Sequence, residues 1–304
     1  MSLIPVHNQL VRAGLQPDST DIVTTGRANA RAKQRIADNF SRAADGYDQA
    51  AILQKRVAAR TMLGLPAQLI SEPPGPEPPG AIGLQASQCI LDLGTGTGLH
   101  SLTLAERYDD ALVIGMDLAM GMLQFARHQN THPRVAWCSG DIEAMPLQAS
   151  VVDLVYSSLA IQWCSFARVL CQVSRVLKPG GTFVFSTLAQ GSLKELDRAW
   201  CRAGAKDRVN RFDTFATQKQ CLKASDLVCR AFSLKPETLL YPDVITLLRS
   251  LKALGVNTVL AGKGGLLTRR KLEVLKQAYE KKRQPEGLPL TYQVIYGVLQ
   301  KPDI

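Results

Sequence analysis

Ile90–Gly98 reads ILDLGTGTG, an apolar run closed by Asp92 and followed by three glycines at alternate positions, Gly94, Gly96 and Gly98. A strand that stops in such a loop brings bare backbone N–H groups against a small ligand. A second apolar strand, ALVIGMD at 111–117, ends on Asp117 about twenty residues past the loop, where doubly wound folds hold a ribose by its hydroxyls. A third strand-like piece, Val135 to Cys138, runs into GDIEAMPL at 140–147 and puts Asp141 and Ile142 at the next strand end, within reach of an adenine.

Nicotinamide and flavin enzymes open similarly but with G-x-G-x-x-G. The spacing in this chain is G-x-G-x-G, with Leu99 in the place of the third dinucleotide glycine. With Asp117 and GDIEAMP, it resembles the class I S-adenosylmethionine-dependent methyltransferases. That resemblance implies S-adenosylmethionine as cofactor, its methionine part near Gly94, Thr95, Gly96 and Gly98. It implies the ribose near Asp117 and the adenine near Asp141 and Ile142, with Leu118, Met122 and Leu159 as further cofactor contacts.

Strands alternate with helices outward from the loop, as a parallel sheet covered on both faces requires. The patterns predict strands at 89–94, 111–117, 134–138, 151–157 and 181–188. Helices are predicted at 99–107, 119–128 and 165–176, with a short one near 142. LKPGG at 177–181 is read as the stop of one helix and the start of the next strand, since Pro179 and two glycines cannot continue a helix. Residues 192–228 are read as wholly helical, an insertion before the sixth strand. ETLLYP at 237–242 is a later strand, followed by a helix at 243–254, a basic helix at 268–283 and a closing strand at 288–301. Ahead of the sheet, Ile36, Phe40, Ala43 and Tyr47 stand at helical spacing, which resumes after the Gly46 region with Ile52, Val57 and Leu63.

The expected architecture is α/β: a doubly wound, mostly parallel seven-stranded sheet with leading helices. The antiparallel last strand and a late insertion over the substrate are implied by the methyltransferase resemblance. A mobile tail at 1–30 precedes a single domain at 31–304. That domain divides into leading helices (32–65), a proline–glycine loop (66–87), a cofactor-binding core (88–190), the insertion (192–228) and closing strands with the basic helix (229–304).

The 304 residues suffice for a full core. No apolar run approaches the roughly 18 to 20 residues that span a bilayer, and MSLIPVHNQL lacks the regions of a secretory signal, so a cytoplasmic protein is expected. Seven scattered cysteines without a C-x-x-C pair read as reduced, mostly buried thiols, with no metal site expected. The net charge of +10 and pI near 9.4 suit nucleic acid, anionic membrane or an acidic protein alike. Basic residues cluster late, at Lys263, Arg269, Arg270, Lys271, Lys276, Lys281, Lys282 and Arg283. The single aromatic there, Tyr279, and the lack of a recognisable motif argue against nucleic acid.

Several longer strings narrow the class. FSRAADGYDQAA (40–51), SSLAIQWC (157–164), LAQGSLKELDRAW (188–200), VNRF (209–212), RSLKALGVN (249–257), LLTRRKLEVL (266–275) and LPLTYQVIYGVL (288–299) run in order to the C-terminus. They resemble the malonyl-acyl carrier protein O-methyltransferases of biotin synthesis. The resemblance implies methylation of the free carboxylate of a malonyl thioester, on the carrier protein or on malonyl-coenzyme A. Ser158 departs from the family's usual asparagine.

A carboxylate of pKa around 4 is ionised near neutral pH, so no general base is required. Tyr47 is the candidate that closes the site, Gln162 and Trp163 its walls, and Arg211, then Arg249, the candidates for binding the malonyl carboxylate. Arg269, Arg270, Lys271 and Lys276 are candidate contacts for an acidic carrier protein. The rival readings are a methyltransferase for another small acid or quinone precursor, and a non-catalytic S-adenosylmethionine-binding assembly factor.

Overall fold

The computed structural model describes residues 23–69, 88–205, 209–255 and 268–303, with side chains from residue 31. Two helices lead, α1 (Val23–Ala50) and α2 (Ile52–Met62). The sheet follows as β1 (Gln88–Leu93), α3 (Leu99–Arg107), β2 (Ala111–Asp117), α4 (Met120–Gln129), β3 (Val135–Ser139), β4 (Val152–Ser158), α5 (Phe166–Val176) and β5 (Leu177–Leu188). The chain closes with α6 (Lys194–Arg202), α7 (Phe215–Lys223), β6 (Val228–Tyr241), α8 (Val244–Ala253), α9 (Arg269–Glu280) and β7 (Leu288–Gln300).

The seven strands lie in the order β3-β2-β1-β4-β5-β7-β6. The first five are parallel, and β7 runs antiparallel between β5 and β6. The order reverses at β1, so the β1 and β4 ends flank the crevice where open α/β sheets bind ligands. Burial on both faces explains why the central strands are continuous apolar runs. Ile90, Val113, Leu154 and Val184 pack on one face with Leu104 and Tyr108, while Leu91, Val155, Phe183 and Phe185 pack on the other with Phe166, Val169 and Val173.

Several boundaries differ from the sequence expectation. Helix begins at Val23, inside the expected tail, and continues through Gly46 to break at Ala51; residues 1–22 lie outside the described residues. So does most of the expected proline–glycine loop, 70–87. Residues near 142 form a tight turn closed by the Asp141–Ala144 bridge rather than a helix.

LKPGG opens β5 as a bulge: pairing jumps from Val152–Leu177 to Leu154–Thr182, and Gly180 takes φ 72°. A bulge tolerates the missing proline N–H. The looped-out Lys178 ammonium meets the buried Asp153 carboxylate at 2.8 Å. The insertion is two short helices and not one helical block, because Gly204 at φ 67° ends α6 and Thr214 caps α7. The sixth strand is far longer than ETLLYP. As an edge strand it pairs along β7 from Val228 to Tyr241, with Val228, Leu234 and Leu240 exposed on it.

All seven cysteines are free, but four are half-buried and three exposed, so the expectation of mostly buried thiols is corrected. No described helix is long and apolar enough to cross a membrane.

Candidate active site

The glycine loop forms the floor. Gly94, Gly96 and Gly98 all have positive φ, 69°, 57° and 83°. A Cβ on Gly94 would collide with the Ala160 side chain, whereas one on Gly96 would meet nothing within 4 Å. The loop is thus pressed against the turn after β4 and bare where a ligand approaches. Asp117 accepts from the Gly96 N–H at 2.9 Å and the Ala119 N–H at 2.8 Å, with carboxylate lone pairs remaining for ribose hydroxyls. Burial pushes its pKa up, opposed by those N–H bonds. Beneath the loop, Asp92 accepts from the Ser101 hydroxyl at 2.7 Å and the Thr95 hydroxyl at 2.9 Å; burial pushes its pKa up to about 6.

Gly94, Gly96 and Asp117 line a cleft of about 760 Å³. Leu118 and Met122 line it beside Asp117, and Asp141, Ile142 and Leu159 also contribute. Two expected cofactor residues do not line it. Thr95 turns inward to brace Asp92, and Gly98 makes room for the Trp137 indole, which a side chain there would strike.

Helix α1 is the roof. Ile36, Ala37, Phe40 and Tyr47 face the cleft from successive turns. The Phe40 ring meets Trp163 at 5.8 Å and Tyr47 at 6.3 Å, edge-on in both cases. Burial, reinforced by the Asp117 and Asp48 carboxylates, pushes the Tyr47 phenol well above its ordinary pKa. The Tyr47 phenol is therefore neutral at ordinary pH. The roof is fastened by the Thr97 hydroxyl on Asp48 at 2.9 Å and the Gly121 N–H on Ser41 at 3.0 Å.

A second cleft, of about 660 Å³, is lined by Arg35, Ile36, Gln162, Trp163, Arg211 and Phe212. Ile36 and Trp163 line the first cleft as well, so they form the wall between the two. Gln162 and Arg211 also border a smaller polar pocket with Thr187, Asp213 and Gln218. The Gln162 side-chain N–H donates to the Leu159 carbonyl at 2.5 Å, holding a turn in which Leu159 has φ 51°. The Oε1 atoms of Gln162 and the buried Gln218 have no partner. Arg249 is exposed on α8 and lines none of these clefts.

Sequence reasoning passed over Lys33, Phe40 and Glu143. Lys33 and Phe40 stand on the stripe that carries Ile36 and Tyr47, so a lysine at 33 on an otherwise apolar face was the available signal. Burial lowers the pKa of His100, which packs against Tyr156. Among the described residues no cluster of three or more His, Cys, Asp or Glu side chains could hold a metal ion.

The open backbone at Gly96, the buried Asp117 and the apolar Met122 and Ile142 fit an adenosine-containing cofactor. A family model described as a methyltransferase domain matches residues 91–185. A provisionally named methyltransferase from Bacillus halodurans C-125 shares the fold at 18% identity and TM-score 0.53, over 80% of this chain and 98% of that one. Fold and site together define a class I S-adenosylmethionine-dependent methyltransferase.

Three relatives are more specific. Malonyl-[acyl-carrier protein] O-methyltransferases of Pectobacterium atrosepticum and Serratia marcescens are 38% and 39% identical, each over 88% of this chain and over 97% and 96% of theirs. The biotin biosynthesis bifunctional protein BioHC of Cellvibrio japonicus is 41% identical over 90% of this chain, which spans only 51% of that protein's length. The chain belongs to the malonyl-[acyl-carrier protein] O-methyltransferase family.

Proposed function

We propose that this chain methylates the free carboxylate of a malonyl thioester on acyl carrier protein, in biotin synthesis, with malonyl-coenzyme A as the alternative thioester. The observation that carries the reading is the junction of the two clefts. Trp163 and Ile36 are common to the cofactor cleft and to the cleft where Arg211 and Gln162 stand. An acid held by the Arg211 guanidinium on one side of that wall lies beside the cofactor on the other.

S-adenosylmethionine, when bound, supplies an electrophilic methyl group on a sulfonium. Gly94 and Gly96 would hold its methionine part, Asp117 its ribose, and Asp141 with Ile142 the adenine side. The substrate carboxylate already carries the attacking charge, so the protein has no proton to remove. Its task is to hold the oxygen in line, and positioning of this kind supplies roughly 7 to 11 kcal/mol of barrier reduction. Phe40, Tyr47 and Trp163 exclude water from the junction, and the rigid turn held by Gln162 sets the wall at Leu159. The nearby Cys164 thiol, pushed up to about 12 by burial, stays neutral.

Residues 31–304 act as one unit in this reading, in the cytoplasm, where the seven free thiols stay reduced. Carrier proteins are acidic, and α9 exposes Arg269 and Arg270, with Lys271 and Lys276 half-exposed beside them. Leu275, Ala278 and Tyr279 bury the other side of this helix against the core. Such a face speeds encounter with an acidic partner and weakens at high salt. Lys263 lies outside the described residues.

The test is incubation with S-adenosylmethionine and malonyl-acyl carrier protein, read by intact mass. A gain of one methyl, lost when the malonyl group is replaced by acetyl, supports the proposal. Cofactor binding without any gain favours the assembly factor, and methylation of a different acid favours the rival enzyme.

A further inference from the structure

Lys33 is the one lysine on the inward stripe of α1 among the described residues, and it stands at the adenine end of the cofactor cleft. Its ammonium lies 2.6 and 2.9 Å from the two oxygens of Asp141 and 2.6 Å from Glu143 Oε2. The side chains of Lys33 and Glu143 are 14% and 5% exposed, so this contact is far from a solvated surface pair. Burial works against the ammonium, but hydrogen bonds and charge from Asp141 and Glu143 overcome it and hold its pKa above the ordinary lysine value. Glu143 is anchored to the body of the protein by the Ser165 N–H. Its other cation, Arg168, is more distant at 3.7 Å and 65% exposed.

We infer that Lys33 is a positioning residue for the cofactor: its ion pairs with Asp141 and Glu143 latch α1 shut over the adenosine, and S-adenosylhomocysteine leaves only when they break. The inference rests on the cofactor half of the function proposed above. Its physical basis is that α1 is a single rigid helix. Ile36, Ala37, Phe40 and Tyr47 leave the cleft together if α1 lifts, and the ion pairs sit at the same end of the roof as Asp141. The remaining fasteners, Ser41 and Asp48, are single hydrogen bonds farther along. Without Lys33, two neighbouring carboxylates face the underside of α1 with little compensation, which favours the lifted position. Asp141 keeps lone pairs for an adenine amine while bound to Lys33, so latch and ligand coexist.

The experiment follows dissociation of S-adenosylhomocysteine from the full chain by stopped-flow displacement. Lys33→Gln should release it about tenfold faster or more, because an uncompensated charge is left behind. Lys33→Arg should stay within about threefold of wild type, since the charge is retained. Equal release from wild type and a folded Lys33→Gln overturns the latch. So does release from Lys33→Arg as fast as from Lys33→Gln, since the retained charge would then contribute nothing. If wild type binds no S-adenosylhomocysteine, the cofactor assignment falls as well; binding with an unchanged release rate removes the latch alone.

Discussion

Asp92, the carboxylate inside ILDLGTGTG, makes stability depend on pH in a direction opposite to most aspartates. It is 2% exposed and is held by hydroxyls rather than a cation, and its pKa stands at about 6 against an ordinary 3.8. The folded state therefore binds the proton more tightly than the unfolded chain. Stability contributed by the protonated form is fully present below about pH 3.8 and is lost as pH rises toward 6. The loss totals about 3 kcal/mol, of which about 1.4 kcal/mol falls between pH 5 and 7.5. Asp92→Asn cannot ionise. Its amide N–H lacks an assured acceptor, a cost of about 1 to 3 kcal/mol that does not vary with pH. The slope and not the absolute value is thus the measurement. Urea unfolding of both proteins from pH 5 to 7.5 should show the variant gaining about 1.4 kcal/mol on wild type. Parallel pH profiles would refute the reasoning and mean that Asp92 is ionised throughout.

Ser150 has φ 55° in the exposed turn before β4, so Ser150→Gly should raise stability by about 1 kcal/mol, read as a higher Tm. Arg211→Met should raise KM for the malonyl thioester about tenfold or more while the Kd for S-adenosylmethionine is unchanged; equal loss of both would place Arg211 elsewhere. Reversing charge at Arg269, Arg270 and Lys271 should raise KM for malonyl-acyl carrier protein at low salt and have little effect at high salt. An unchanged KM at low salt would remove α9 from docking. Leu275→Ala should cost about 2 to 5 kcal/mol in denaturant unfolding, since that side chain is fully buried where α9 meets the core.

Local pattern reached far in this chain. The five parallel strands, the helices between them, and β7 lie within a few residues of where periodicity and turn residues put them. Burial on both faces leaves long apolar runs, and glycine and proline mark most ends. Where two local signals met a tertiary demand, pattern failed. Leu177–Gly181 stops the helix and starts the strand as expected, but β5 begins four residues early and absorbs the segment as a bulge in which Lys178 reaches Asp153. Val228–Lys235 looks like no strand, yet the free edge of β7 recruits it.

The same division holds at the site. ILDLGTGTG, Asp117 and GDIEAMP determined by themselves the class of cofactor, because backbone approach and ribose recognition are made by residues adjacent to strand ends. The longer strings determined the family. Which side chains face the cleft was decided only in three dimensions. Thr95 turned away to hold Asp92, Gly98 served the Trp137 ring, Arg249 stayed outside the clefts, and Lys33 arrived on Asp141 from 108 residues away. Distant charges and rings meet through packing, and their separation along the chain carries no trace of it.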